Sequence, residues 1–242
     1  MPVAKLLSYL RPILFLPPPL HHRREIVKIP LPVPSGYPIL LDVAHRPIVI
    51  VGGGNVAQRK AGGLLEAGAT DVRAVAPQFT ADFPQAVRRR IGNYEPGDLD
   101  GASLVFAATD SAEVNAAVVR DAGERGIWVN RADFGEEDAG DFTVAAAFRR
   151  GPAIVAVSTE NAALSAMIRT RLAEAWDPGW TAMASAMKNL RPLIRKSGLS
   201  SESRRRILKE LATDAALDTL AKGGENGLMD WLAAKFPELR RT

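Results

Sequence analysis

Two constellations in this 242-residue chain have residue types and spacing that could do chemistry: three glycines behind a short β-prone run, and one carboxylate behind another. Ile48 to Val51 lead straight into Gly52-Gly53-Gly54-Asn55-Val56-Ala57, a GxGxxA turn opening a helix that continues through Glu66. Gly52 permits the tight turn, Gly54 lets a pyrophosphate approach backbone N–H groups at the positive helix end, and Ala57 is small enough for helix and strand to pack. Ordinary tight turns in α/β proteins can share this pattern. The strand before, the helix after and the following strand at the right distance favour dinucleotide binding.

The second strand ends Val75-Ala76-Pro77-Gln78, without the acidic residue that usually meets the ribose about 20 residues beyond the glycines. Backbone and Gln78 are left to do that work, and with no arginine there NADP is not specifically indicated. The third strand ends Ala107-Ala108-Thr109-Asp110. Ala108 and Thr109, with Asp110 next to them, are expected beside the nicotinamide half, although Asp110 or Ser111 could equally cap the next helix. A fourth strand delivers Val129-Asn130-Arg131-Ala132-Asp133 to the carboxyl edge of the sheet. Asp133 is the best acid–base candidate, against the alternative of a turn aspartate bonded to its own backbone.

Composition narrows the chemistry. There is no cysteine, which removes disulfides, thiolate metal sites and cysteine nucleophiles. The three histidines, His21, His22 and His45, have no metal-site spacing, so no metal site is expected and acid–base work falls to carboxylates. The net charge of +4 resides entirely in residues 1–35, where five basic residues face Glu25, and the rest of the chain is balanced. A nucleic-acid partner is therefore not favoured. No run approaches the ~20 apolar residues that span a membrane, and Arg11 and the prolines at 12 and 17–19 interrupt Leu6 to Leu20. The expectation is a cytoplasmic protein with a mobile extension over residues 1–35.

The elements that must position these residues follow from periodicity. Short apolar runs alternate with amphipathic stretches, the pattern of a Rossmann-like parallel sheet with crossover helices. Strands are predicted at Pro47 to Val51, Val72 to Ala76, Leu104 to Ala108 and Ile127 to Asn130, with helices at Asn55 to Ala67, Ala81 to Arg90 and Ser111 to Arg125. Gly68 and Gly126 stop the first and third helices. After an acidic turn (GEEDAGD), two strand-like runs, Phe142 to Phe148 and Ala153 to Ser158, are joined by Arg149-Arg150-Gly151-Pro152. Such a hairpin cannot close a core alone and needs a second surface, so a dimerisation module is expected. From Ala162 the chain is helical, with breaks at Pro178-Gly179, at Ser197 to Ser201 and at Gly223-Gly224. The predicted division is an α/β NAD-binding domain over 36–141, a small β-containing dimerisation module over 142–175 and a helical domain over 176–242.

Taken together the motifs resemble the precorrin-2 dehydrogenases, the standalone siroheme-pathway enzymes, and the matching amino-terminal half of multifunctional siroheme synthases. The resemblance starts near Tyr37 and rests on YPILLDV, IVIVGGGNVAQRK, LLEAGA at Leu64, VAPQF at Val75, FAATD at Phe106, VN followed by Asp133, DF at Asp141, RGP at Gly151 and AVST at Ala156. Each is common singly; their order and spacing are specific.

The resemblance implies dehydrogenation of precorrin-2 to sirohydrochlorin with hydride passing to NAD. It places Asn55, Val56, Pro77 and Gln78 at cofactor-contact positions and Asp133 at the catalytic aspartate. It also implies a possible ferrochelatase step, with Fe2+ as a substrate and the same aspartate taking pyrrole protons. A substrate with eight carboxylates makes Arg131, Arg149 and Arg150 candidate anion partners, with Asn130, Ser158 and Thr159 near them. Solvated hairpin ends and a helix cap explain Arg149, Arg150, Ser158 and Thr159 equally well. Two loops depart from the family pattern: the run after Thr159 is two residues shorter, and that between Asp133 and Phe142 two longer. Two other readings stay open: a non-catalytic binder of NAD and tetrapyrrole, and a Rossmann dehydrogenase for another small substrate.

Overall fold

The computed structural model describes residues 36–132, 140–159 and 161–241. Asp133, assigned above as the acid–base residue, lies outside the described residues, as do the extension over 1–35 and most of the acidic turn. Contacts divide the chain at Pro38, and Ile39–Thr242 form one compact unit.

Five short strands build the parallel sheet: β1 (Ile48–Val51), β2 (Val72–Ala76), β3 (Arg88–Ile91), β4 (Leu104–Ala107) and β5 (Trp128–Arg131), in the order β3-β2-β1-β4-β5. Every residue of β1 and β4 is buried, as a sheet covered on both faces requires. Ile48, Ile50, Ala74 and Phe106 face α1 (Asn55–Glu66), which contributes Ala57, Ala61 and Leu64. Val49, Val51, Val105, Ala107 and Val129 face α2 (Ala112–Glu124), which contributes Val118 and Ala122. The register aligns Val51 with Val75 and Ala107, and Ala107 with Arg131, so four strand ends share one edge.

The expected helix over Ala81 to Arg90 is absent: two turns lead into edge strand β3. Phe83 and Val87, four apart and both buried, carry the spacing of a helix face. Each belongs to a short turn, with Phe83 N–H donating to the Thr80 carbonyl at 3.1 Å and Val87 N–H to the Pro84 carbonyl at 3.2 Å. Pro84 has no N–H to give a helix and restricts Phe83 before it. The arginines then lie along an edge where charge discourages further pairing: Arg88 pairs with Asp71 and Arg90 with Asp98.

The hairpin also differs from its expected bounds. Strands β6 (Ala146–Arg150) and β7 (Ala153–Val157) leave only Gly151-Pro152 as the turn, so Arg149 and Arg150 end β6 opposite Ile154 and Ala153. Gly151 at φ +56° suits the first central position of a two-residue hairpin turn, and the turn sets a register two residues later than the apolar run suggested. Helix α3 (Ala162–Glu174) packs on both strands.

Three further helices follow: α4 (Pro178–Lys196), α5 (Ser201–Glu210) and α6 (Asp214–Lys235). Their buried faces meet in a separate apolar cluster that includes Met183, Leu190, Ile207, Leu211, Leu228 and Leu232. Asp177 caps α4, with its carboxylate accepting from Gly179 N–H at 2.7 Å. Gly224, at φ +61° and ψ −163°, kinks α6. No helix among the described residues is long and apolar enough to cross a membrane.

Candidate functional site

The carboxyl edge of the sheet collects most of the residues singled out by the sequence, and the three glycines do different jobs there. At Gly52, φ is +134° and an added Cβ would lie 2.3 Å from the Ala108 carbonyl oxygen. At Gly53 an added Cβ would lie 2.0 Å from the Gln78 carbonyl oxygen, while Gly53 O accepts from Thr80 N–H at 2.9 Å. Gly52 thus lets β1 pass β4, and Gly53 lets the segment after β2 lie on the turn. Gly54 differs: nothing lies within 4 Å of a Cβ placed on it.

Gly54 is the N-cap of α1, offers no side-chain cap, and no acidic residue stands in the first turn of that helix. The helix start therefore leaves N–H donors uncapped by side chains, below open space at the one glycine of these three whose added Cβ meets no protein atom. Asn55 is exposed and Val56 half-buried at this helix start, and Pro77 and Gln78 are exposed beside it. These residues fit the diphosphate of a dinucleotide, with Gly52 and Gly53 shaping the turn.

Across the edge, Ala108 N–H donates to Val51 O at 2.8 Å, and Ala108 is buried. Thr109 is locked in place: its Oγ1 donates to Asn115 Oδ1 at 2.8 Å, and Asn115 Nδ2 donates back to the Thr109 carbonyl at 3.0 Å. Ser111 caps α2 by accepting from Val114 N–H, whereas Asp110 is exposed and does not cap. Asn115 was not singled out in the sequence, yet it is 0% exposed and holds the backbone at Thr109, just past the end of β4. Its signal was legible: a polar residue on the stripe shared with Val118 and Ala122.

Asn130 and Arg131 end β5. Asn130 is 4% exposed, and both of its amide groups are engaged: Oδ1 accepts from Lys60 Nζ, and Nδ2 donates to the Phe142 carbonyl, each at 2.7 Å. Lys60 was also missed, because a lysine one turn into an amphipathic helix carries the pattern of a solvated face. Burial, and then the charge of Arg59, push its amine down to about 8. Because the folded value lies below that of an exposed lysine, the unfolded chain holds more protons between the two. The stability of the protein relative to its Lys60→Met variant is thus expected to rise as pH increases from about 8 toward 10, as followed by urea unfolding.

Arg149 and Arg150 are exposed on β6, and Arg150 stacks over the Phe148 ring at 5.5 Å. No described contact brings them to the glycine turn. Ser158 and Thr159 are exposed after β7. The cap of α3 is neither of them but Asn161, whose Oδ1 accepts from Leu164 N–H at 3.0 Å. Thr159 reinforces it, accepting from Asn161 N–H at 3.2 Å and from Ser165 Oγ or donating to it at 2.8 Å.

A five-stranded parallel sheet with this order, and a glycine turn opening α1 at its edge, define a Rossmann-type dinucleotide-binding protein. In agreement, residues 39–146 match the family model described as "Putative NAD(P)-binding". The siroheme synthase of Photobacterium profundum is 36% identical over 195 residues, covering 78% of this chain and 41% of that protein. That of Azotobacter vinelandii is 35% identical over 207 residues, covering 82% and 44%. Among solved structures, "SirC, precorrin-2 dehydrogenase" superposes with a TM-score of 0.67 at 25% identity, over 82% of this chain and 100% of that one. The chain is thus similar to siroheme synthases and to a precorrin-2 dehydrogenase, and it spans about two-fifths of the length of the curated siroheme synthases it matches.

Proposed function

We propose that the protein is an NAD-dependent precorrin-2 dehydrogenase that forms sirohydrochlorin. The observation that carries this reading is the likeness to a precorrin-2 dehydrogenase over the whole of that chain, joined to an intact dinucleotide turn in this one. NAD, when bound, supplies a hydride acceptor. Gly52, Gly53 and Gly54 shape its diphosphate cradle, and Asn55, Val56, Pro77 and Gln78 line it. Ala108, Thr109 and Asp110 border the nicotinamide end, with Thr109 fixed by Asn115. Asp133 follows β5 by two residues and accepts the proton that the macrocycle sheds on oxidation. Arg131, Arg149, Arg150, Ser158 and Thr159 are assigned to the carboxylates of the substrate. The same carboxylate is proposed to take pyrrole protons if Fe2+ is inserted as a second substrate.

Anaerobic incubation with precorrin-2 and NAD should give NADH and sirohydrochlorin in equal amounts. NAD and sirohydrochlorin binding without turnover would instead support a carrier, and turnover of another substrate alone would support a different dehydrogenase.

A homodimer is part of the proposal. α3 covers one face of the β6–β7 hairpin, and on the other Ala147 and Arg149 lie exposed opposite Ala156 and Ile154. Val144, Leu164, Met167 and Leu172 are exposed as well, at 58, 43, 45 and 44%. A two-stranded sheet with an uncovered face and this much open apolar surface calls for a partner surface. Sedimentation at micromolar concentration should give twice the chain mass of 26.0 kDa, and a strictly monomeric mass would remove this part of the proposal.

A further inference from the structure

Lys60 is a half-buried cation with no part in either the glycine turn or the proton transfer. It projects from the helix that begins at the turn and reaches the base of the connection that follows β5. We propose that Lys60 is a positioning residue, which by holding Asn130 fixes the end of β5 and its returning strap to the cofactor helix.

Four contacts form a closed ring. Lys60 Nζ donates to Asn130 Oδ1 at 2.7 Å and sits 5.2 Å from the centre of the Phe106 ring. Asn130 Nδ2 donates to the Phe142 carbonyl at 2.7 Å, and the Phe142 ring meets Phe106 edge-on at 5.6 Å. The ring joins α1, β4, β5 and the strap Gly140–Phe142. The strap is pinned a second time, because Asp141 N–H donates to Val129 O at 2.8 Å and Asp141 Oδ2 accepts from Val129 N–H at 2.9 Å. Gly140, at φ +80°, pairs with Asn130 so closely that an added Cβ would stand 2.4 Å from Val129 O. Both ends of the connection that includes Asp133 are therefore tied to one another, and Lys60 ties that base to α1.

An aliphatic pair at 60 and 130 would fill this space without removing an ammonium and an amide from water. What the polar pair adds is direction. Only one orientation of the Asn130 amide puts its oxygen on the Lys60 donor and its NH2 on the Phe142 carbonyl. The lowered amine value, about 8, reflects the burial this arrangement costs, and the group still carries its charge at neutral pH. The inference rests on the dehydrogenase reading in that the base so held leads, three residues after Asn130, to the proposed proton acceptor. Misplacement by about 1 Å between reacting groups can cost on the order of 10²-fold in rate.

The test compares the wild-type protein with Lys60→Met, Lys60→Arg, Asn130→Ala and the Lys60→Met/Asn130→Ala double variant. Three quantities are read: kcat for precorrin-2 oxidation, the Kd of NAD, and hydrogen exchange at the Asp141 amide. Lys60→Met is expected to lower kcat by about tenfold or more. It should leave the Kd of NAD within about twofold and speed Asp141 exchange by about tenfold. Lys60→Arg, which keeps a charged donor, should recover most of both losses, and the double variant should be no worse than Asn130→Ala alone. Unchanged Asp141 exchange in Lys60→Met, multiplicative losses in the double variant, or a loss of NAD affinity equal to the loss of turnover would each overturn the proposal. Where Lys60→Met does not fold, Lys60→Gln replaces it on the same criteria. If the wild-type protein does not oxidise precorrin-2, the dehydrogenase reading fails, and Asp141 exchange alone decides whether Lys60 holds the strap.

Discussion

Asp133→Ala is expected to lower kcat for precorrin-2 oxidation by about 10²–10⁴-fold, the range associated with loss of a positioned general base. The chain offers few substitutes. It has no cysteine, and its three histidines are His21 and His22 in the extension and His45 ahead of β1. The residues proposed to cradle NAD do not include Asp133, so NAD should bind the variant with near wild-type affinity in a fluorescence titration of the reduced cofactor. Asp133→Asn makes the sharper control, since it keeps the shape of the side chain and cannot accept a proton. Loss of kcat in both variants with NAD binding retained supports the assignment. Normal turnover by either removes Asp133 from the chemistry and leaves the dinucleotide site as it stands.

The second large effect separates two adjacent glycines. Gly53→Ala places a Cβ 2.0 Å from the Gln78 carbonyl oxygen and 2.8 Å from Ala76 Cβ, so the backbone of the turn or of the segment after β2 must move. Overpacking of this kind costs about 1–3 kcal/mol, and a clash with backbone belongs at the upper end. Gly54→Ala meets no protein atom within 4 Å, and its φ of −81° is open to alanine, so the cost is only that of replacing a glycine cap, under about 1 kcal/mol. Its new methyl instead occupies the space where the diphosphate would approach α1. Gly53→Ala should thus lower the urea midpoint and weaken NAD binding together. Gly54→Ala should hold its midpoint and still lose NAD affinity by tenfold or more, about 1.4 kcal/mol. Equal NAD affinity in Gly54→Ala and wild type would place the diphosphate elsewhere.

Strands β1, β2 and β4 and helices α1 and α2 were legible because their signals are local. Buried parallel strands are short unbroken apolar runs, and glycine stops the helices between them. The glycine turn was legible for the same reason, its residues being consecutive. The resemblance to precorrin-2 dehydrogenases extended this to the proposed reaction, since it rests on the order of several such local motifs. Sequence alone thus determined a Rossmann-type sheet, the edge that holds its dinucleotide turn, and the residues that end β1 and β2.

Tertiary structure decided the rest. Phe83 and Val87 are spaced alike on a helix face or in consecutive turns, and only their shared burial against the sheet selects the turns and strand β3. The register of the β6–β7 hairpin follows from the two-residue turn at Gly151, not from where its apolar run begins. The fingerprint gives reasons for Gly52 and Gly54, and the steric reason for Gly53 lies in the Gln78 carbonyl that folds against it. Lys60 and Asn130 are 70 residues apart, and no periodicity links them. They meet because parallel pairing brings β5 beside β4 under α1, a juxtaposition set by long-range contacts that spacing along the chain does not encode.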